Sequence, residues 1–317
     1  MASATSGATR DAFGEKLAEL GASEPRLVVI DGDLGGSTRT TGFMKKFPDR
    51  HFELGIAEQN VVGVAAGLAL AGKIPVATSF ACFITGRLEV IRVAVAYNQT
   101  NVKIVGTHAG IGIGDDGPSQ MALEDIAAMR ALPGMTVLQP ADLVETRQAV
   151  EWMIKNPGAV YLRLTRPNTE QVHAEGYRWQ LGKIDLLWKP AKAPAKFQAT
   201  VFATGATCGN AIAAAKDLEG RGFAVQVFNV HTLKPLDVDG VAKAAAASTR
   251  VVTVEDHNET GGLGSAVAEA IAERGVGVPL VRLAVRDFAE SGTTEELYDK
   301  YGLSAKHVAE ACLRNVD

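Results

Sequence analysis

Short runs of apolar, often β-branched residues alternate along this chain with longer stretches in which apolar positions recur three and four apart. Arg26-Leu27-Val28-Val29-Ile30 reads as a buried strand, because its continuous apolar run ends in the turn-prone Asp31-Gly32-Asp33. Similar runs lie at 74–78, 102–106, 136–139 and 160–164, and the helical spacing holds from Ala57 to Leu70, Leu88 to Tyr97 and Leu143 to Ile154. The pattern breaks over 188–196, where Pro, Ala and Lys mix without periodicity as in a linker. It resumes at 200–203, 224–228, 251–254 and 280–283. These elements predict an α/β protein of two domains, each a mainly parallel sheet with helices on both faces. The expected bounds are 1–185, a linker over 186–197, and 198–317. Ligands of such sheets bind beyond the carboxyl ends of the strands.

Composition narrows the classes. Of 317 residues, 32 are Lys or Arg and 36 are Asp or Glu, a net charge of −4 that argues against a nucleic-acid partner. The longest apolar run, 61–72, is shorter than the roughly 18 residues of a membrane span, and the first residues lack the basic-then-apolar pattern of a signal peptide. Cys82, Cys208 and Cys312 are widely spaced and suit neither a disulfide framework nor a zinc site. The expectation is a cytoplasmic enzyme without membrane or nucleic-acid partners.

Three segments carry candidate chemistry. Glu58 opens an otherwise small, apolar helix in Gly55-Ile56-Ala57-Glu58-Gln59-Asn60. It reads either as a carboxylate that needs a partner for its charge or as an exposed first-turn Glu favoured by the helix dipole. Phe80 and Phe83, a turn apart, read as an aromatic wall for a flat ring or as plain core. A strand ending at His108 runs into a long Gly-rich loop, with Ser119 as the expected start of the next helix. Loops on a rigid scaffold carry function often, which favours a site here. The Thr204–Gly209 turn could cradle a phosphate, but such glycine patterns are weak alone.

With these motifs, residues 8–170 resemble the pyrimidine-binding domain of transketolases and 198–315 their C-terminal domain. Gly55 to Asn60, Gly112 to Asp125, Leu164-Thr165-Arg166-Pro167, Thr232 to Asp237 and Val254-Glu255-Asp256-His257 carry the resemblance. It implies thiamine diphosphate as cofactor, with Glu58 matching the glutamate that bonds the aminopyrimidine nitrogen, and with Phe80, Phe83 and Asp33 contacting the cofactor. It further implies that Arg10, Ser37, His108 and Arg166 hold the anionic end of a sugar phosphate. Asp116 and Gln120 would contact sugar hydroxyls; Gln120 stands where bacterial and yeast-type members carry His. Glu58 and His108 are the implied catalytic residues. His257, Cys208 and Cys82 stay outside the expected site.

The family's diphosphate domain holds Mg²⁺ with a Gly-Asp-Gly opening and a downstream Asn. Gly32-Asp33-Leu34 lacks the second Gly, and Asn60 already belongs to the glutamate motif, so no metal ligand is expected here. The resemblance therefore implies the small, C-terminal subunit of a split transketolase. An N-terminal subunit would supply Mg²⁺ and diphosphate binding in an α2β2 assembly, with self-association of this chain through its pyrimidine and C-terminal domains. The Gly-rich helices at 57–72 and 81–97 read as packing across such an interface or as intrachain core. Other readings are a beta-type subunit of a 2-oxo acid dehydrogenase, a deoxyxylulose-phosphate synthase, a transketolase for an unusual sugar or sulfosugar, and a non-catalytic oligomer partner.

Overall fold

The computed structural model describes residues 6–192 and 194–314; the remaining residues within the expected domain bounds lie outside the described residues. The first sheet has seven strands, in the order Thr232–Lys234, Thr136–Leu138, Val160–Arg163, Lys103–Thr107, Ile74–Phe80, Leu27–Asp31 and His51–Glu53. All pair in parallel except Thr232–Lys234, which runs antiparallel to Thr136–Leu138. Leu27–Asp31, Ile74–Phe80 and Lys103–Thr107 are buried along their whole length, as expected of parallel strands covered on both faces. Their register aligns Asp31 with Thr78 and Phe80 with Thr107. Three neighbouring strands thus end on one edge, where Phe80 closes its strand and the segments leaving the other two carry Asp33 and His108.

The second sheet runs Leu280–Val285, Val251–Asn258, Ala199–Ala203, Val225–Asn229 and Asp185–Trp188, the last antiparallel. Residues 186–188, expected in the linker, are therefore strand. Val225–Asn229 supplies their ladder, while Leu187 and Trp188 pack on the core of this sheet. Two further expectations change. Leu88 to Tyr97 is a short α-turn, Leu88–Val90, continued by a π-helix over Ile91–Tyr97. Ser119 lies in a turn, and the next helix begins only at Asp125.

The halves interlock. The largest apolar cluster joins Val61, Ile91 and Ile104 of the first half to Val230, Val241 and Leu263 of the second. Among the described residues, no helix is long and apolar enough to cross a membrane.

Candidate active site

Glu58 is the first residue of helix Glu58–Leu70 and is 5% exposed. Ser79, next to last in strand Ile74–Phe80, donates from Oγ to Glu58 Oε1 at 3.1 Å. The helix N-terminus favours the carboxylate charge. Beside it lies a cavity of about 750 Å³, lined by Ile56, Glu58, Gln59, Asn60, Arg87 and Val90 among others. Of the two readings of Glu58, the structure favours the buried, held carboxylate.

Phe80 ends that strand and Phe83 lies on the helix Ala81–Thr85 that follows. Their rings stack 5.6 Å apart at 9°, and the other neighbour of Phe80 is the His108 imidazole, stacked at 3.8 Å. Phe80 is 6% exposed whereas Phe83 is half-buried. Of the expected wall, Phe83 is thus the ring with a face to offer, and Phe80 is the layer behind it.

His108 takes a left-handed backbone, φ 59°, and is buried. Arg10 Nη1 donates to its Nε2 at 2.6 Å, so that nitrogen carries no proton, and Nδ1–H donates to Thr107 Oγ1 at 2.8 Å. Burial foremost, then the charges of Arg10, Arg166 and Arg39, push the imidazole down to about 3. His108 is a neutral hydrogen-bonding group at ordinary pH.

Arg10 also donates to the Ser37 carbonyl at 3.2 Å, while its Nε is buried without a partner. Its pKa is lowered, by burial first and then by Arg39, with Arg166 adding to the effect. Arg166 donates to the Ile113 carbonyl at 2.6 Å and lies 3.5 Å from Asp116. Three guanidiniums in mutual opposition, balanced by Asp11 and Asp116, make a field that an anion relieves. The structure brings Arg10, Ser37, His108 and Phe80 into direct contact and ties Arg166 to Asp116. Among the described residues, no hydrogen bond joins the Asp33 carboxylate or the Gln120 amide to this cluster. Asp33 is exposed, at φ 68°, and its N–H donates to Glu53; Gln120 is half-buried in the loop.

Several contributors were not legible in the sequence. Arg39, at φ 69°, pairs with Asp11 at 2.5 Å in a turn that packs so tightly on Gly14 that a Cβ there would lie 2.4 Å from the Arg39 carbonyl. Asp256 of the second sheet accepts from the Ile111 and Gly112 N–H groups at 2.7 and 3.2 Å. Arg163 holds the far end of the loop through Asp125, at 2.8 Å, and the Ala122 carbonyl. Arg39 stands two residues from Ser37 and Asp256 lies within a quoted motif, but neither signal assigns a role.

Gln139 crowds the Thr204–Gly209 turn so closely that a Cβ on Gly205 would lie 2.2 Å from its Nε2. Burial pushes the Cys82 thiol up to about 12, which leaves no thiolate. The Asp31 carboxylate is engaged by Thr38, Thr40 and Thr78 hydroxyls and by the Leu34 N–H.

Sequence comparisons extend the picture. The transketolase pyrimidine-binding domain family matches residues 6–171, and the transketolase C-terminal domain family matches 192–308. A putative transketolase C-terminal section of Methanocaldococcus jannaschii is 42% identical, over 97% of this chain and 96% of its own. A 6-deoxy-6-sulfo-D-fructose transketolase subunit of Clostridium sp. (strain MSTE9) is 39% identical, over 95% of this chain and 92% of its own. A solved structure described as a split-gene transketolase, an inactive beta4 tetramer, matches with a TM-score of 0.87 at 43% identity, over 96% of this chain and 97% of that one. The chain spans about half the length of the mouse and human transketolases that it also matches.

Proposed function

Because the chain belongs to the transketolase family, we propose that it is the C-terminal subunit of a split, thiamine-diphosphate-dependent transketolase. With a separate diphosphate-binding subunit it moves a two-carbon ketol unit from a ketose phosphate to an aldose phosphate. The observation that carries this reading is the buried Glu58 carboxylate, held by Ser79 beside an open cavity, one strand end away from the Phe80–His108–Arg10 stack.

The residues present fit the aminopyrimidine half of the cofactor. Glu58 offers a buried carboxylate that can share a proton with a ring nitrogen, and Phe83 offers a half-buried ring for stacking. When bound, thiamine diphosphate supplies the electron sink that lets a ketose carbon–carbon bond be cleaved and remade. Glu58 holds the proton, Phe83 seats the pyrimidine, and Phe80 fixes Phe83 from behind. Asp33 contacts the cofactor and Gln120 a sugar hydroxyl. Arg10, Arg166 and Ser37 bind the anionic end of the substrate, with arginine forks suited to its oxygens. His108 belongs to the same cluster, where it accepts from Arg10, and Asp116 orients a sugar hydroxyl. Mg²⁺ and its ligands are assigned to the partner, since Gly32-Asp33-Leu34 lacks the second Gly of the family's metal-binding opening.

An α2β2 assembly suits the surface. Ile56, Leu70 and Tyr97, on or beside the two helical segments expected at an interface, are 85%, 74% and 80% exposed. The beta4 tetramer described as inactive supports a need for the other chain. The cytoplasm is the proposed compartment. A sulfosugar substrate is the second reading, favoured by the sulfofructose relative, because an arginine cluster also fits a sulfonate. Phosphate and 6-sulfo donors compared in one assay separate the two.

The test is Glu58→Gln in the assembled complex. Cofactor affinity should stay within a few-fold while transfer falls by about 10²–10⁴. Turnover like that of the wild type would overturn the role of Glu58.

A further inference from the structure

A second cluster of ionisable groups lies away from the arginines, where helix Leu143–Lys155, strand Asp185–Trp188 and the connection between the two sheets meet. Asp142 caps that helix and is matched by His173, 3.0 Å from its Oδ2. Glu145 and Asp185 are not matched in this way. The Tyr177 hydroxyl touches both carboxylates, and its single proton serves one of them at a time. Among the described residues, neither Glu145 nor Asp185 forms an ion pair with a lysine or arginine; their partner in the ion-pair geometry is His231. Two neighbouring carboxylates with no lysine or arginine between them are costly to keep charged.

His231 is aimed into this gap. It is 1% exposed, and its Nε2 is buried without a hydrogen-bond partner, 3.2 Å from Asp185 Oδ2 and 3.9 Å from Glu145 Oε1. Its Nδ1 is engaged by Thr232 Oγ1 at 2.8 Å, which fixes the ring. Ligand atoms of Glu145, Asp185 and His231 all lie within 4.8 Å of one another. Metal–ligand bonds of about 2.0–2.2 Å in a tetrahedral arrangement place donors about 3.4 Å apart, which His231 Nε2 and Asp185 Oδ2 meet at 3.2 Å and Glu145 Oε1 approaches at 3.9 Å. An outer layer is present as well: Asn229 Nδ2 donates to both Glu145 oxygens at 3.0 and 2.9 Å, and the Ala141 N–H donates to Oε2 at 2.7 Å. Such contacts orient a ligating carboxylate.

We infer that Glu145, Asp185 and His231 form a structural site for one divalent cation, with Zn²⁺ the ion that best suits an imidazole and two carboxylates, and with the Tyr177 hydroxyl or a water as fourth ligand. The ion joins a helix of the first half to the edge strand of the second and to the chain that links their sheets. It is distinct from the Mg²⁺ assigned to the partner, and the inference does not depend on the proposed activity.

The experiment titrates the full chain, stripped with a chelator and dialysed, with ZnCl₂. It should bind one equivalent, and saturating Zn²⁺ should raise the thermal midpoint by several degrees. Co²⁺ should give the visible absorption of a tetrahedral site. His231→Gln and Asp185→Asn should each abolish the equivalent and the shift, whereas His307→Gln, on the outer surface, should change neither. Absence of a bound equivalent in the wild type overturns the site even where the variants fail to fold. Retention of the equivalent by both folded variants also overturns it.

Discussion

At the scale of single residues, His108 shows how burial sets chemistry. Unfolded, an imidazole titrates near about 6.5; here burial and three guanidiniums bring it down to about 3. Between those values the unfolded chain holds the additional proton, so the contribution to stability is full above about pH 6.5 and is lost as pH falls toward 3. His257, buried and lowered to about 4, acts in the same direction. His108→Gln should therefore lose less thermal stability between pH 7 and pH 4 than the wild type, while the His257 part of the slope persists. Identical slopes in the two proteins would contradict the neutral, buried imidazole. Glu58 was legible in the sequence because a lone acid in a run of Val, Ala and Gly stands out. Arg39 and Asp256 were not, because what they touch lies across the fold: Arg39 meets Asp11 in another element, and Asp256 reaches the loop from a different sheet.

At the scale of elements, the loop after His108 is a clamped segment. Its first turns hang on Asp256, and Tyr298 donates to the same carboxylate at 2.9 Å. Gly110 lies at φ 83°, where a Cβ would stand 2.2 Å from Asp256 Oδ2. Gly110→Ala should displace the loop, cost at least about 1–2 kcal/mol, and lower transfer by tenfold or more in the assembled enzyme. Unfolding midpoints and initial rates measure both effects; a variant with unchanged midpoint and rate would show that the clamp does not position the site. Leu27–Asp31 could be read from its apolar run, and Lys103–Thr107 from the β-branched Val102, Ile104 and Val105 around a single Lys. His51–Glu53, Thr232–Lys234 and Asp185–Trp188 could not: three or four residues show too little alternation, and their pairing is supplied by neighbours distant in sequence. The π-helix at Ile91–Tyr97 was equally hidden, since apolar spacing does not separate one helical hydrogen-bond pattern from another.

At the scale of the whole molecule, the two halves act as one body. The second half lends Thr232–Lys234 to the first sheet and Asp256 to the loop after His108, so it positions the candidate site although it contributes no proposed catalytic group. The site itself is half of one. On the proposed reading Glu58 would handle the proton and the arginines would hold an anion, and the apolar Leu70 and Tyr97 are exposed. The most direct measurement mixes this chain with the diphosphate-binding subunit, thiamine diphosphate, Mg²⁺, xylulose 5-phosphate and ribose 5-phosphate, and follows ketose exchange. The account predicts no transfer by either chain alone and turnover that saturates at equal amounts of the two. Transfer by this chain alone, or none from a stable complex given phosphate and sulfo donors alike, would contradict it.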